Sequence, residues 1–64
     1  MKIDLLPIGT YIRAIQGEGY IIDRFITRQV VINMSRRAKT GKRVNTDDLL
    51  AVYDNKSKVW INNQ

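Results

Sequence analysis

The sequence predicts an all-β domain, a small barrel of five short antiparallel strands with one helical turn before the last of them. Three observations predict it. Apolar residues recur with period two along most of the chain, which is the repeat of a strand. The alternating runs are rich in β-branched and aromatic residues, which suit a pleated surface. Glycine, proline and Asn/Asp/Ser clusters punctuate those runs at short intervals.

The first strand is expected over Thr10–Ile15, with Thr10, Ile12 and Ala14 on one face and Tyr11, Arg13 and Ile15 on the other. Pro7 and Gly9 mark its start. Gln16-Gly17-Glu18-Gly19 reads as a tight turn, since glycine reaches positive φ without steric cost. The second strand runs from Tyr20 to Ile26, and Thr27-Arg28 forms a hairpin tip. The third covers Gln29–Met34, with Val30, Ile32 and Met34 alternating against Val31 and Asn33. Both faces of the second and third strands are largely apolar, which suits strands that bend from one sheet into another. Ser35–Lys42 is a polar, basic loop and Arg43–Asn45 a short fourth strand. Thr46–Leu50 reads as one helical turn that Asn45 or Thr46 can cap, with Asp47 and Asp48 at its positive end. Ala51–Tyr53 is the fifth strand, Asp54–Ser57 a turn, and Lys58–Ile61 a further strand ahead of a frayed Asn62-Asn63-Gln64. The expected core is Ile12, Ile21, Phe25, Val30, Ile32, Leu49 and Val52, or the set of opposite parity where one register is reversed.

Sixty-four residues suffice for one domain, with the barrel over about 8–53 and an extra strand or tail over 54–64. So short a chain buries only about 60% of its unfolded surface. It has no cysteine, so neither a disulfide nor a thiolate metal site can support it. No apolar run approaches the roughly 20 residues that span a bilayer. Asp4 breaks the N-terminal apolar stretch too early for a signal peptide. These features point to a cytoplasmic protein, in which Asn33-Met34-Ser35 and Asn55-Lys56-Ser57 are chance matches to the glycosylation triplet.

Charge is distributed unevenly. Arg24, Arg28, Arg36, Arg37, Lys39, Lys42 and Arg43 lie in a stretch with no acidic residue, while the rest of the chain is slightly acidic. The formal net charge is +5. A segment of this kind favours a polyanionic partner, most often nucleic acid. Arg and Lys neutralise phosphates and release condensed counterions, and the planar guanidinium also fits phosphate oxygens and base edges. A loop carrying these cations can follow a backbone. Tyr11, Tyr20, Phe25, Tyr53 and Trp60 could supply a base-stacking surface, with Tyr20 and Trp60 the partner contacts and Phe25 in the core.

Ile8-Gly9-Thr10-Tyr11-Ile12-Arg13, Gly17-Glu18-Gly19-Tyr20-Ile21-Ile22, Val30-Val31-Ile32 and Asp48-Leu49-Leu50 together resemble a Tudor-like, SH3-like small barrel. The pattern is similar to the C-terminal Tudor-like domain of superfamily I repair helicases and to RNA-polymerase-interacting domains, and it covers roughly residues 8–53. The resemblance implies five short strands with a helical turn before the last, no catalysis, and docking onto nucleic-acid machinery. Three features depart from the pattern: Gln16 stands where an aromatic is common, Ser35–Lys42 is longer and more basic, and a C-terminal segment adds Trp60. The basic loop favours phosphate binding over polymerase docking.

Catalysis finds little support. Without histidine or cysteine, a serine nucleophile would depend on a lysine base that nothing fixes beside it. Gly41-Lys42 is not a phosphate-binding loop, because Arg36 and Arg43 occupy the positions that need Gly and Ser/Thr. Asp47 and Asp48 point apart in a turn and make no metal site. The expectation is a non-enzymatic accessory protein, without cofactor or metal, that binds nucleic acid (DNA ahead of RNA) with little sequence preference. The competing expectation is a protein-docking module for transcription or repair machinery such as RNA polymerase, of the kind a phage or plasmid could encode to modulate a host enzyme. An open sheet edge would allow a homodimer.

Overall fold

The computed structural model describes residues 6–26 and 28–62, the side chains of Phe25 and Ile26 excepted. It is all-β. Six strands, β1 (Tyr11–Ala14), β2 (Gly17–Ile26), β3 (Gln29–Asn33), β4 (Lys42–Asn45), β5 (Leu49–Asp54) and β6 (Val59–Asn62), form one sheet in the order β4-β3-β2-β1-β5-β6, every pair antiparallel. A single 3₁₀ turn, Thr46–Asp48, precedes β5. β4 and β6 are the two ends of the sheet among the described residues.

The sheet is strongly coiled. Its shortest principal extent is 19 Å and its radius of gyration 10.5 Å, close to the roughly 10.7 Å of a compact globule of this length. A flat single layer could not reach that thickness. The ten-residue β2 supplies the bend, since its pairing with β3 shifts register between Ile21 and Asp23 and again between Arg24 and Ile26. Such irregularities increase local twist. A further shift lies at Arg13/Ala14, where β1 meets β5.

Coiling brings the inner-face residues together. Ile12, Ala14, Ile21, Val30, Ile32, Val44, Leu49 and Val52 form the buried cluster, with Leu6 packed against it, and Ala51 is buried as well. Ile12 and Ile21 are 0% exposed. Six of the seven expected core residues are in this cluster; Phe25, the seventh, lies outside the described side chains. Among the described residues no polar or charged side chain is buried, so burial of apolar surface holds the fold together.

Several local expectations are corrected. The first turn is tighter than Gln16–Gly19: Ala14 pairs with Gly17, leaving Ile15 and Gln16 as a two-residue loop. Gly17 keeps a positive φ of 143° at the start of β2. Gly19 is a strand residue instead, needed because a Cβ there would lie 2.8 Å from the Asn33 carbonyl oxygen. Ile15, expected on a strand face, sits exposed on the turn. Leu49 and Leu50 belong to β5 and not to the helical turn. Asn45 occupies the N-cap position without capping. Its Oδ1 accepts from Gln29 Nε2 at 2.9 Å, a partner brought opposite by the β3–β4 register. Of the Thr27-Arg28 tip, Thr27 lies outside the described residues, as do Asn63 and Gln64. Among the described residues no helix is long and apolar enough to cross a membrane.

Candidate functional site

Register builds the most distinctive surface. The two-residue turn places Tyr11 opposite Tyr20 in β1–β2. Ile12 pairs with Val52 in β1–β5, so their neighbours Tyr11 and Tyr53 turn to the other face of the sheet. Tyr53 in turn lies opposite Trp60 in β5–β6. Tyr20, Tyr11, Tyr53 and Trp60 thus cross β2, β1, β5 and β6 as one row on the outer face, each half-buried. The rings meet at 4.8 Å between Tyr11 and Tyr20, 5.7 Å between Tyr11 and Trp60, and 5.4 Å between Tyr53 and Trp60. Their planes are inclined by 68°, 56° and 69°. The pairs at 68° and 69° have the edge-to-face geometry that aromatic quadrupoles prefer, and the Tyr11–Trp60 pair is tilted.

Two guanidinium groups cap the row. The central carbon of Arg13 stands 4.4 Å from the Trp60 ring centroid, and that of Arg36 stands 4.8 Å from the Tyr20 centroid. Both lie within cation–π range. Glu18 ties one end down: Arg13 Nε donates to Oε1 at 3.2 Å and Tyr11 Oη donates to Oε2 at 2.8 Å. The Tyr11 and Arg13 hydrogen bonds hold the Glu18 carboxyl below its ordinary range, partly offset by desolvation. The bond to Glu18, with burial and the nearby negative charge, pushes the Tyr11 hydroxyl above its own.

The row floors a trough of about 330 Å³, walled by Met34, Arg36 and Asn55. A second concavity, about 570 Å³, shares Arg36, Tyr53 and Asn55 with it and continues past Pro7–Thr10 to Lys56. Asp54 also lines the second concavity. Its carboxylate closes the β5–β6 turn, accepting from Lys56 N at 3.0 Å and Ser57 Oγ at 2.7 Å. The Ser57 and Lys56 hydrogen bonds lower its pKa.

The basic residues are not all brought together. Arg36, Arg37 and Lys39 share the loop between β3 and β4, next to the row. That loop has its own scaffold: Asn33 Nδ2 donates to Thr40 O at 2.9 Å, Ser35 N donates to Asn33 Oδ1 at 2.9 Å, and Ala38 N donates to Ser35 O at 3.2 Å. Lys42 and Arg43 belong to edge strand β4; Lys42 Nζ donates to Gln16 O at 3.0 Å, and Arg43 stands opposite Val31. Arg24 and Arg28 lie toward the far end of the β2–β3 ladder. Six residues of strand separate the Tyr20 pair from the Ile26–Gln29 pair, roughly 20 Å. Arg24 Nη2 donates to the Leu6 carbonyl, and Arg28 faces Asp47 at 3.8 Å with both side chains more than three-quarters exposed. Arg24 and Arg28, expected to flank the basic loop, thus sit along the β2–β3 ladder beyond Tyr20 and are engaged with Leu6 and Asp47.

Tyr20 and Trp60 are both in the row: Tyr20 ends the series of ring contacts, and Trp60 bridges Tyr11 and Tyr53. Arg13, Glu18, Met34 and Asn55 were not legible as site residues. Their membership follows from pairing register, and the signal would have been the two-residue turn that sets Tyr11 against Tyr20. Among the described residues no cluster of acidic side chains could hold a metal ion.

Comparison with family models, curated proteins and solved structures finds no match to this chain.

Proposed function

We propose that this chain is a nucleic-acid-binding module, and that its binding face is the aromatic row together with the β3–β4 loop. One observation carries the reading: Arg36 belongs to the cationic loop, yet its guanidinium rests on Tyr20, so phosphate-binding and base-stacking groups share one surface. Arg37 and Lys39 are exposed on the same loop, and Arg43 extends the positive surface along β4, while its neighbour Lys42 turns the other way toward Gln16. The coiled sheet reads as an SH3-like or Tudor-like barrel, β4-β3-β2-β1-β5, with β6 added beyond it to bring Trp60 into the row. The 3₁₀ turn directly ahead of β5 supports that reading.

The test is anisotropy of a labelled DNA oligonucleotide at two or more salt concentrations, with the wild type and an R36A/R37A/K39A variant. Wild-type affinity should fall with salt. The slope of log affinity against log salt should become shallower by about 0.7–0.9 for each phosphate contact removed. Absence of binding at low salt, or an unchanged slope in the triple variant, rejects the proposal. Retention of a protein partner after nuclease treatment, lost on substituting Tyr20 or Trp60, would assign the face to docking on transcription or repair machinery.

A further inference from the structure

Resting on the reading above and narrowing it, we infer that the ligand is an unpaired single strand whose bases enter the aromatic trough, and not a duplex held by its phosphates. A surface that only tracked phosphates would turn its cations outward. Here Arg13 and Arg36 instead lie over the faces of Trp60 and Tyr20. A planar base can stack between such a guanidinium and a ring, or displace the guanidinium toward a phosphate.

Ring geometry points the same way. Planes inclined by 56–69° make a trough instead of a closed stack. The trough's volume of about 330 Å³ lies at the lower end of the range for small-molecule sites. Asn55 on its wall offers an amide donor and acceptor to a base edge. A base within a duplex has both faces covered, and reaching the trough would require flipping it out, at a cost of unstacking and unpairing. An unpaired strand avoids that cost.

Length is consistent. Three interstrand steps separate β2 from β6. The rings lie closer than the strands that carry them: by way of Tyr11, Tyr20 and Trp60 stand no more than about 10.5 Å apart, room for about three nucleotides at the rise of roughly 3.4 Å per stacked nucleotide. The neighbouring concavity, entered past Lys56 and meeting the trough at Arg36 and Tyr53, gives the sugar-phosphate backbone a continuous path. Charge argues against a methylated ammonium guest, because the Arg36 guanidinium on the trough wall repels a cation. The guest is planar and anionic.

Trp60 is the chain's one tryptophan, so its emission reports the trough directly. The experiment titrates the intact chain at low salt with an eight-nucleotide oligo-dT, an oligo-U of the same length, a duplex with the same number of phosphates, and an oligoglutamate peptide. Single strands should quench Trp60 and bind at least about tenfold more tightly than the duplex, from loss of stacking in the latter. Comparison of oligo-dT with oligo-U distinguishes DNA from RNA as the source. Tyr53→Leu, checked for folding by circular dichroism, should weaken the single strand by about tenfold, as expected for one lost stack, and leave the duplex unchanged. Equal binding of duplex and single strand without quenching would overturn this inference while leaving the broader reading intact. Equal quenching by oligoglutamate would also overturn it, by assigning the trough to an acidic peptide. No binding by any nucleic acid would overturn both.

Discussion

Glu18 is exposed, yet it organises two other side chains. One carboxylate oxygen accepts from Tyr11 and the other from Arg13, and Arg13 in turn covers Trp60. Because these bonds depress the folded-state pKa of Glu18, their contribution is fully present above its unfolded value and disappears as pH falls through the lower folded value. Below the ordinary glutamate range, Arg13 should therefore be released from Glu18 and Trp60 emission should change. Glu18→Gln removes the charge while retaining an acceptor. The variant should show at neutral pH the emission that the wild type reaches only in acid, with that acid step removed. An acid step of unchanged amplitude and midpoint in the variant would mean that another group reports on Trp60. Asp54 titrates in the same acidic direction, so any remaining step belongs first to the β5–β6 turn.

At the scale of the elements, the β3–β4 connection was the hardest to read in advance. A basic, glycine-containing segment reads as free loop, and nothing in its composition announces that Asn33 pins it at Thr40 and Ser35. Gly41 has no positive φ to suggest its role. Its reason is proximity, since a Cβ there would lie 2.2 Å from the Ile32 carbonyl oxygen. Gly41→Ala must push β4 away from β3 and should cost about 1–3 kcal/mol or more, as overpacking does. Urea denaturation measures this. A loss below about 0.5 kcal/mol, the ordinary range of a surface change, would show that the close approach is dispensable. The first three strands, by contrast, were legible as strands from their β-branched and aromatic runs, and the alternation of Ile12 with Arg13 shows the buried face of the first; in the second and third both faces are apolar, so Ile21 against Ile22 and Val30 against Val31 left the choice of face to the pairing. Val44 was missed as a core residue because it stands alone between Arg43 and Asn45, and Ala14 because alanine carries little hydrophobic signal. The aromatic row could be proposed as a set of residues but not as a row. Its order depends on which strands are neighbours and on a turn two residues long.

For the whole molecule, the cluster of small β-branched and aliphatic side chains carries the stability, since the described ion pairs are exposed and such pairs contribute little. A domain of this length has roughly 3–10 kcal/mol in total at 0.05–0.15 kcal/mol per residue. Ile21→Ala, at a fully buried position, should remove about 2–5 kcal/mol of it. The variant should be largely unfolded at 37 °C by circular dichroism, while Ile21→Val should lose only about 0.5–1.5 kcal/mol. Retention of a wild-type melting temperature by the alanine variant would place the stabilising core elsewhere.

The two ends of the sheet are chemically unlike. β4 presents Lys42 and Arg43, whereas β6 presents Val59 and Ile61, 51% and 43% exposed, to either side of Trp60. Lysine and arginine on an edge repel a copy of themselves, while an apolar edge does not. Of the two like-with-like edge contacts, β4 with β4 is thereby disfavoured and β6 with β6 is not. Such a contact is self-complementary and ends at two molecules. The asymmetry therefore favours the pair closed through β6 over one closed through β4, and neutralising the β4 cations would remove that preference.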